Sequence, residues 1–161
     1  MMKVLFFERQ RFSSKWLWLL LGIITLIPVY GIYKQIFIGK PFGDNPMSDV
    51  GLILMLILML SILVLFRVMQ LKTEITKRTI KIQYFPFFKT QFHWSDIKSS
   101  EVVNYGFVGY GIRIGTKYGT VYNTSGNKGL AIELKSGKKY CIGTQRDNEL
   151  KAVVDQLNID S

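Results

Sequence analysis

Apolar and polar positions change rhythm along this chain. Residues 16–33, WLWLLLGIITLIPVYGIY, and residues 50–66, VGLILMLILMLSILVLF, hold no charged side chain. Eighteen helical residues rise about 27 Å, close to the roughly 30 Å hydrocarbon thickness of a bilayer. The Leu, Ile, Val and Phe residues of the second run together favour insertion by about 4–7 kcal/mol on the translocon scale. A soluble surface helix would carry a polar face, and this run has none. The pattern predicts two transmembrane helices; the alternative is one span and one buried core helix. The first run exceeds the usual 7–15 apolar residues of a signal peptide. Large residues, YKQIF, follow it, so it reads as a retained anchor. Trp16 and Trp18 at one end and Tyr30 and Tyr33 at the other suit interfacial belts, and Pro28 is expected to kink the helix or weaken its outer half.

After residue 67 the apolar runs become short and β-rich. LKTEIT (71–76), IKIQYF (80–85), TQFHW (90–94), IKSSEVVNY (97–105), YGIRIG (110–115), TVYNT (120–124), GLAIEL (129–134) and KYCIG (139–143) read as strands separated by turn signals. Ser136-Gly137 marks a short hairpin. At the tail, Asp147 can cap a helix whose apolar face is Leu150, Val153, Val154 and Leu157. The predicted organisation is an N-terminal segment (1–15), a transmembrane hairpin (16–66, with an outer loop 34–49), and a β-domain (67–161) ending in a helix over about 147–158. The fold class is membrane α plus all-β, the antiparallel strands curling into a barrel or sandwich capped by the helix.

Charge orients this layout. Lys3, Arg9, Arg11 and Lys15 precede the first run, and Arg67, Lys72, Lys77, Arg78 and Lys81 follow the second, whereas the loop holds only Lys34 and Lys40. The positive-inside rule therefore predicts a multi-pass protein of the cytoplasmic membrane with both termini in the cytoplasm. The net charge of +10 favours an anionic neighbour. A single cysteine, Cys141, excludes an internal disulfide, and with one histidine, His93, it cannot build an ordinary zinc site.

Several segments carry a resemblance: FFERQRF (6–12), GYGIRIG (109–115), SGNKGLAIEL (125–134) and KKYCIGTQ (138–145). With the order of strands and final helix, nearly the whole chain resembles a family of small bacterial membrane proteins with two N-terminal spans and a pleckstrin-homology-like (bacterial PH) domain. The resemblance implies a fold and a location, and no activity. Eukaryotic relatives of the fold use a longer basic first loop with a K-x-R pattern, and the short TKRT here lacks it.

The glycines invite a nucleotide reading. Gly109-Tyr-Gly111-Ile-Arg-Ile-Gly115 places the third glycine one residue late for G-x-G-x-x-G, and a strand rather than a helix follows. Gly109, Gly111 and Gly115 are instead expected to permit positive φ and bulges, with Gly106, Gly109 and Gly111 at a corner where strands pass between sheets. Gly143 is expected to let the last strand turn through Thr144-Gln145 into the helix. Arg113, between Ile112 and Ile114, either lies on a solvated strand face or pins a carboxylate or lipid phosphate, with Glu101 and Glu133 as internal candidates.

No Ser/His/Asp signature or carboxylate pair is present, so no enzyme, cofactor or metal site is expected, and no nucleic-acid motif appears beside the aromatic, basic composition. The expected function is a non-catalytic, membrane-anchored binding or scaffold module, contacting a protein partner or anionic lipid through Arg113, Lys117, Lys128, Lys138, Lys139, Lys77 and Arg78. The first alternative is a homo-oligomeric accessory subunit of a membrane complex, and the second a membrane-bound enzyme or nucleic-acid-binding domain.

Overall fold

A computed structural model describes residues 3–106 and 109–159. The chain forms two compact units. One is residues 14–67; the other joins residues 1–13 to 68–161.

The first unit is a helical hairpin. Helix α1 (Lys15–Ile32) runs on through Pro28 and ends in a π-helical turn (Tyr33–Phe37). Helix α2 (Asp49–Val68) follows a Gly/Pro-rich loop. Both helices are long and apolar enough to cross a membrane, and little of either is buried. Gln35 organises the loop: its Nε2 donates to the Met47 carbonyl (2.8 Å) and the Asp49 carboxylate (2.7 Å), and its Oε1 accepts from the Phe42 amide. Gly31 lets the loop approach α1, since a Cβ there would lie 2.9 Å from the Phe42 ring and 3.1 Å from Leu52.

The second unit is two sheets and a helix. Sheet A is the antiparallel meander β1 (Val4–Arg11), β2 (Gln70–Thr76), β3 (Thr79–Phe85) and β4 (Phe88–His93). Sheet B holds β5 (Ile97–Asn104), β6 (Gly111–Thr116), β7 (Gly119–Asn123), β8 (Lys128–Leu134) and β9 (Lys139–Thr144) in the order β5-β8-β9-β7-β6. Its β7–β9 pair is parallel. Inward residues alternate along the strands. Leu71, Ile75, Ile80, Ile82 and Tyr84 of sheet A and Val121, Leu130, Ile132, Cys141 and Ile142 of sheet B are fully buried. Ring contacts of Phe88 with Tyr122 (5.3 Å) and Phe92 with Tyr140 (4.8 Å) join the sheets. Helix α3 (Asp147–Ile159) packs on β5, β1 and β8 through Leu150, Val154 and Leu157.

All eight strands expected after residue 67 are present, with ends displaced by one or two residues. Strand β1 is the departure. Residues 4–11 are not a segment apart from the β-domain but its first strand, paired with β2 from Val4↔Thr76 to Arg11↔Gln70. The expected corner between sheets also differs. Residues 105–110 link β5 to β6, which are opposite edges of the same sheet. Gly106, Gly109 and Gly111 take positive φ along this connection; Phe107 and Val108 lie outside the described residues.

The ladder has one topological consequence. Helix α1 begins four residues after Arg11, and α2 ends two residues before Gln70. Because Arg11 pairs with Gln70, both helices are joined to neighbouring strands at the same end of sheet A.

Candidate functional site

Beyond Phe6 the inner face of β1 is polar where a core strand is normally apolar. Glu8 is only 5% exposed and Gln10 is 2% exposed. The Thr144 hydroxyl donates to Glu8 Oε2 (2.6 Å) and the Gln145 amide to Oε1 (2.8 Å), while the Thr144 oxygen accepts the Arg146 amide. Gln10 Nε2 donates to the Gly143 carbonyl (2.6 Å), and the Thr124 hydroxyl donates to Gln10 Oε1. Arg146 closes the seam, donating to the Phe7 carbonyl and to Glu149. A buried carboxylate with two donors is satisfied, so this cluster stitches β1 to the β9–α3 corner. Thr144 and Gln145 thus hold that corner. Gly143 serves a different purpose from the turn expected of it. Its φ is not positive, and a Cβ there would lie 2.9 Å from Asn123 and 3.1 Å from the Tyr105 hydroxyl, so it is a close-approach glycine.

The basic residues singled out from the sequence are scattered rather than gathered. Lys77 and Arg78 form the β2–β3 turn, where Thr76 Oγ1 accepts the Arg78 and Thr79 amides. Lys128 pairs with Asp147 (2.6 Å). Lys139 shares Glu133 with Lys98, at 3.5 and 2.9 Å. These contacts hold the carboxyl of Glu133, through Lys98 first, and that of Asp147, through Lys128 first, below the usual range. Lys138 lies in the β8–β9 turn, its carbonyl accepting the Leu134 amide. Lys117 sits 4.8 Å over the Tyr118 ring.

Arg113 lies on β6, the edge strand, exposed like its neighbours Ile112 and Ile114. Glu133 lies three strands away on β8, where it pairs with Lys98 and Lys139, and Glu101 four strands away on β5, so strand order separates Arg113 from both. The guanidinium packs instead on Gly109, where a Cβ would lie 2.7 Å from Nη2. Gly109, Gly111 and Gly115 have φ of +84, +98 and +79°, as their expected role requires. Cys141 is fully buried, and burial pushes its thiol up to about 12, so it stays protonated at neutral pH. His93 is exposed on β4, 3.3 Å from Gln91.

Sequence reasoning did not find the outer face of sheet A, because its residues come from both sides of the helical hairpin. Antiparallel register places Arg9 opposite Lys72, Lys72 opposite Gln83, and Gln83 opposite Lys89. These side chains alternate with the buried ones and so share the outer face. The next row holds Phe7, Glu74, Lys81 and Gln91, with Glu74 and Lys81 paired at 3.4 Å. All of these residues except Arg9 line an open groove of about 370 Å³. Among the described residues, neither Lys72 nor Lys89 has an acidic partner. The signal available in the sequence was the period-2 pattern of VLFFERQR, which sets Phe7, Arg9 and Arg11 on one face and Phe6, Glu8 and Gln10 on the other. No family model matches this chain, and no curated protein or solved structure is significantly similar to it.

Proposed function

We propose that this protein is a bilayer-anchored, non-catalytic binding module. Helices α1 and α2 cross the cytoplasmic membrane as a hairpin, and a pleckstrin-like β-domain meets anionic lipid or a protein partner at the inner face. The observation that carries the reading is the β1–β2 ladder. It pairs the strand before the first helix with the strand after the second. Open sheet pairing cannot run through hydrocarbon, so an even number of crossings must separate the two strands. That requirement agrees with the charge asymmetry, in which both flanks are more basic than the loop. Two sheets closed by a C-terminal helix support the pleckstrin-like assignment.

The test is Ser48→Cys in intact cells. An impermeant thiol reagent should label it, since Ser48 lies in the loop and Cys141 is buried. Labelling only after permeabilisation would invert the topology. A second reading, recruitment of a protein strand or a second copy, is favoured by the β6 edge, where Ile114 is 83% exposed.

A further inference from the structure

We propose that the helix-joined end of sheet A is itself a bilayer-contact surface. The Phe85-Pro86-Phe87 turn enters the headgroup interface, and the row Arg9, Lys72 and Lys89 binds anionic headgroups. The inference rests on reading α1 and α2 as membrane spans.

Register places the turn. Arg11 pairs with Gln70, and Gln70 pairs with Phe85, so these three residues form the last rung of the sheet. The β3–β4 turn therefore projects from the end at which the chain enters α1 and leaves α2. Phe85 is 40% and Phe87 57% exposed, although both flank a tight turn anchored by the Phe87 amide on the Tyr84 carbonyl (2.8 Å). The Phe87 ring touches the buried Tyr84 ring (6.5 Å between centroids) with most of its own surface left in the open, and a turn tipped by two exposed phenylalanines suits the membrane interface.

Charge supports the same occupant. The Arg9, Lys72 and Lys89 row lies two residues in from the last rung, about 7 Å along the strands. That is inside the roughly 10 Å screening length at 0.1 M salt, so each cation still feels the field of an anionic leaflet. Arg9 and Lys72 oppose each other directly, an arrangement that destabilises an isolated antiparallel pair. The Arg9 guanidinium donates to the Gln70 side-chain carbonyl, not to a carboxylate. An anionic surface over the row offsets that repulsion. Lys77 and Arg78, by contrast, lie at the far end of β2, roughly 20 Å along the strand and beyond screening range.

The test uses the full chain in vesicles of equal parts phosphatidylcholine and phosphatidylglycerol. An environment-sensitive fluorophore is attached at Phe87→Cys, Lys77→Cys or Ile57→Cys in separate samples, with buried Cys141 left in place. Lipids carrying a nitroxide near the headgroup should quench position 87 at least about threefold more than position 77, given roughly 20 Å of strand between the two ends. A nitroxide deep in the acyl chains should quench position 57. Equal, weak quenching at 87 and 77 with strong deep quenching at 57 overturns this inference and leaves the spanning helices standing. No deep quenching at 57 overturns the spanning reading and this inference with it. Arg9→Gln/Lys72→Gln/Lys89→Gln should reduce headgroup quenching at 87 in anionic vesicles about to its level in phosphatidylcholine alone; an unchanged signal refutes the headgroup contact.

Discussion

Replacing Glu8 by alanine removes the acceptor of the buried Thr144 hydroxyl at 2.6 Å and of the partly buried Gln145 amide at 2.8 Å. Hydrogen bonds to a charged group contribute about 1.5–3 kcal/mol each, and relief from burying the carboxylate offsets part of the loss. A net destabilisation of about 3 kcal/mol follows, with Glu8→Gln intermediate at about 1–2 kcal/mol because one carbonyl acceptor remains. Cys141 supplies the assay, since it is fully buried and reacts only when the domain opens. Maleimide labelling of the full chain in mild detergent, under conditions where reclosing outruns labelling, reports the open fraction. At about 1.4 kcal/mol per tenfold, Glu8→Ala should label roughly 100-fold faster and Glu8→Gln about tenfold faster. The control is Glu149→Ala, whose side chain is exposed in its contact with Arg146, so it should shift the rate by no more than about fivefold. A Glu8→Ala rate no higher than the Glu149→Ala rate would refute the seam and with it the integration of β1 into the domain.

Gly119→Ala should prevent the domain from closing, because φ is +74° and the new Cβ would lie 2.0 Å from the Lys139 carbonyl oxygen, in the backbone that pairs with β7. Gly115→Ala, at φ +79° with nothing within 4 Å, should cost only the left-handed conformation, about 1–2 kcal/mol by denaturant titration; equal effects would show that the close approach at Gly119 is immaterial. The carboxyls of Glu133 and Asp147 are held low by Lys98 and Lys128 respectively, so their pairs stabilise the fold above the ordinary carboxylate range and lose that effect as pH falls through the depressed folded values. Lys98→Gln/Lys128→Gln should therefore be less stable than the parent near neutral pH and converge with it at acid pH, and a stability gap independent of pH would contradict the assignment.

Periodicity made much of this fold legible. The two uncharged runs, the eight β-rich pieces and the apolar face of α3 each carry their own local signal. Strand β1 carries a weaker one: its inward positions are Phe6, Glu8 and Gln10, two of them polar, while its outward positions include Phe7, so the period-2 pattern does not say which face is buried. A polar side chain reads as solvent-facing until its partners at Gly143, Thr144 and Gln145 are known, and these are remote in sequence. The same remoteness hid the row of Arg9, Lys72 and Lys89, which only register brings together. Conversely, Lys128 and Lys139, named among the candidate contact residues, pair with Asp147 and Glu133. Arg113 was separated from both glutamates by strand order, which no spacing along the chain reveals.

If β1 belongs to the sheet, the helical hairpin is an insertion in a β-hairpin connection, and the domain should survive its removal only when β1 is kept. Joining Ser13 to Val68 leaves Phe12, Ser13, Val68 and Met69 between Arg11 and Gln70, within the usual 2–5 residues of such a loop. Substituting Asn and Gly at the two joined positions favours the turn. This short chain retains the Glu8 and Gln10 contacts and the cover over Leu71 and Ile75, both fully buried. It should be monomeric without detergent by sedimentation and should protect Cys141 as the full chain does. Residues 68–161 alone would leave β2 as an open edge and the Thr144 hydroxyl and Gln145 amide without their acceptor, and should aggregate or label rapidly. Equal solubility and equal protection in the two chains would mean that β1 merely leans on a domain complete without it. The ladder would then no longer constrain which faces of the membrane the two flanks occupy, and the orientation would rest on flanking charge alone.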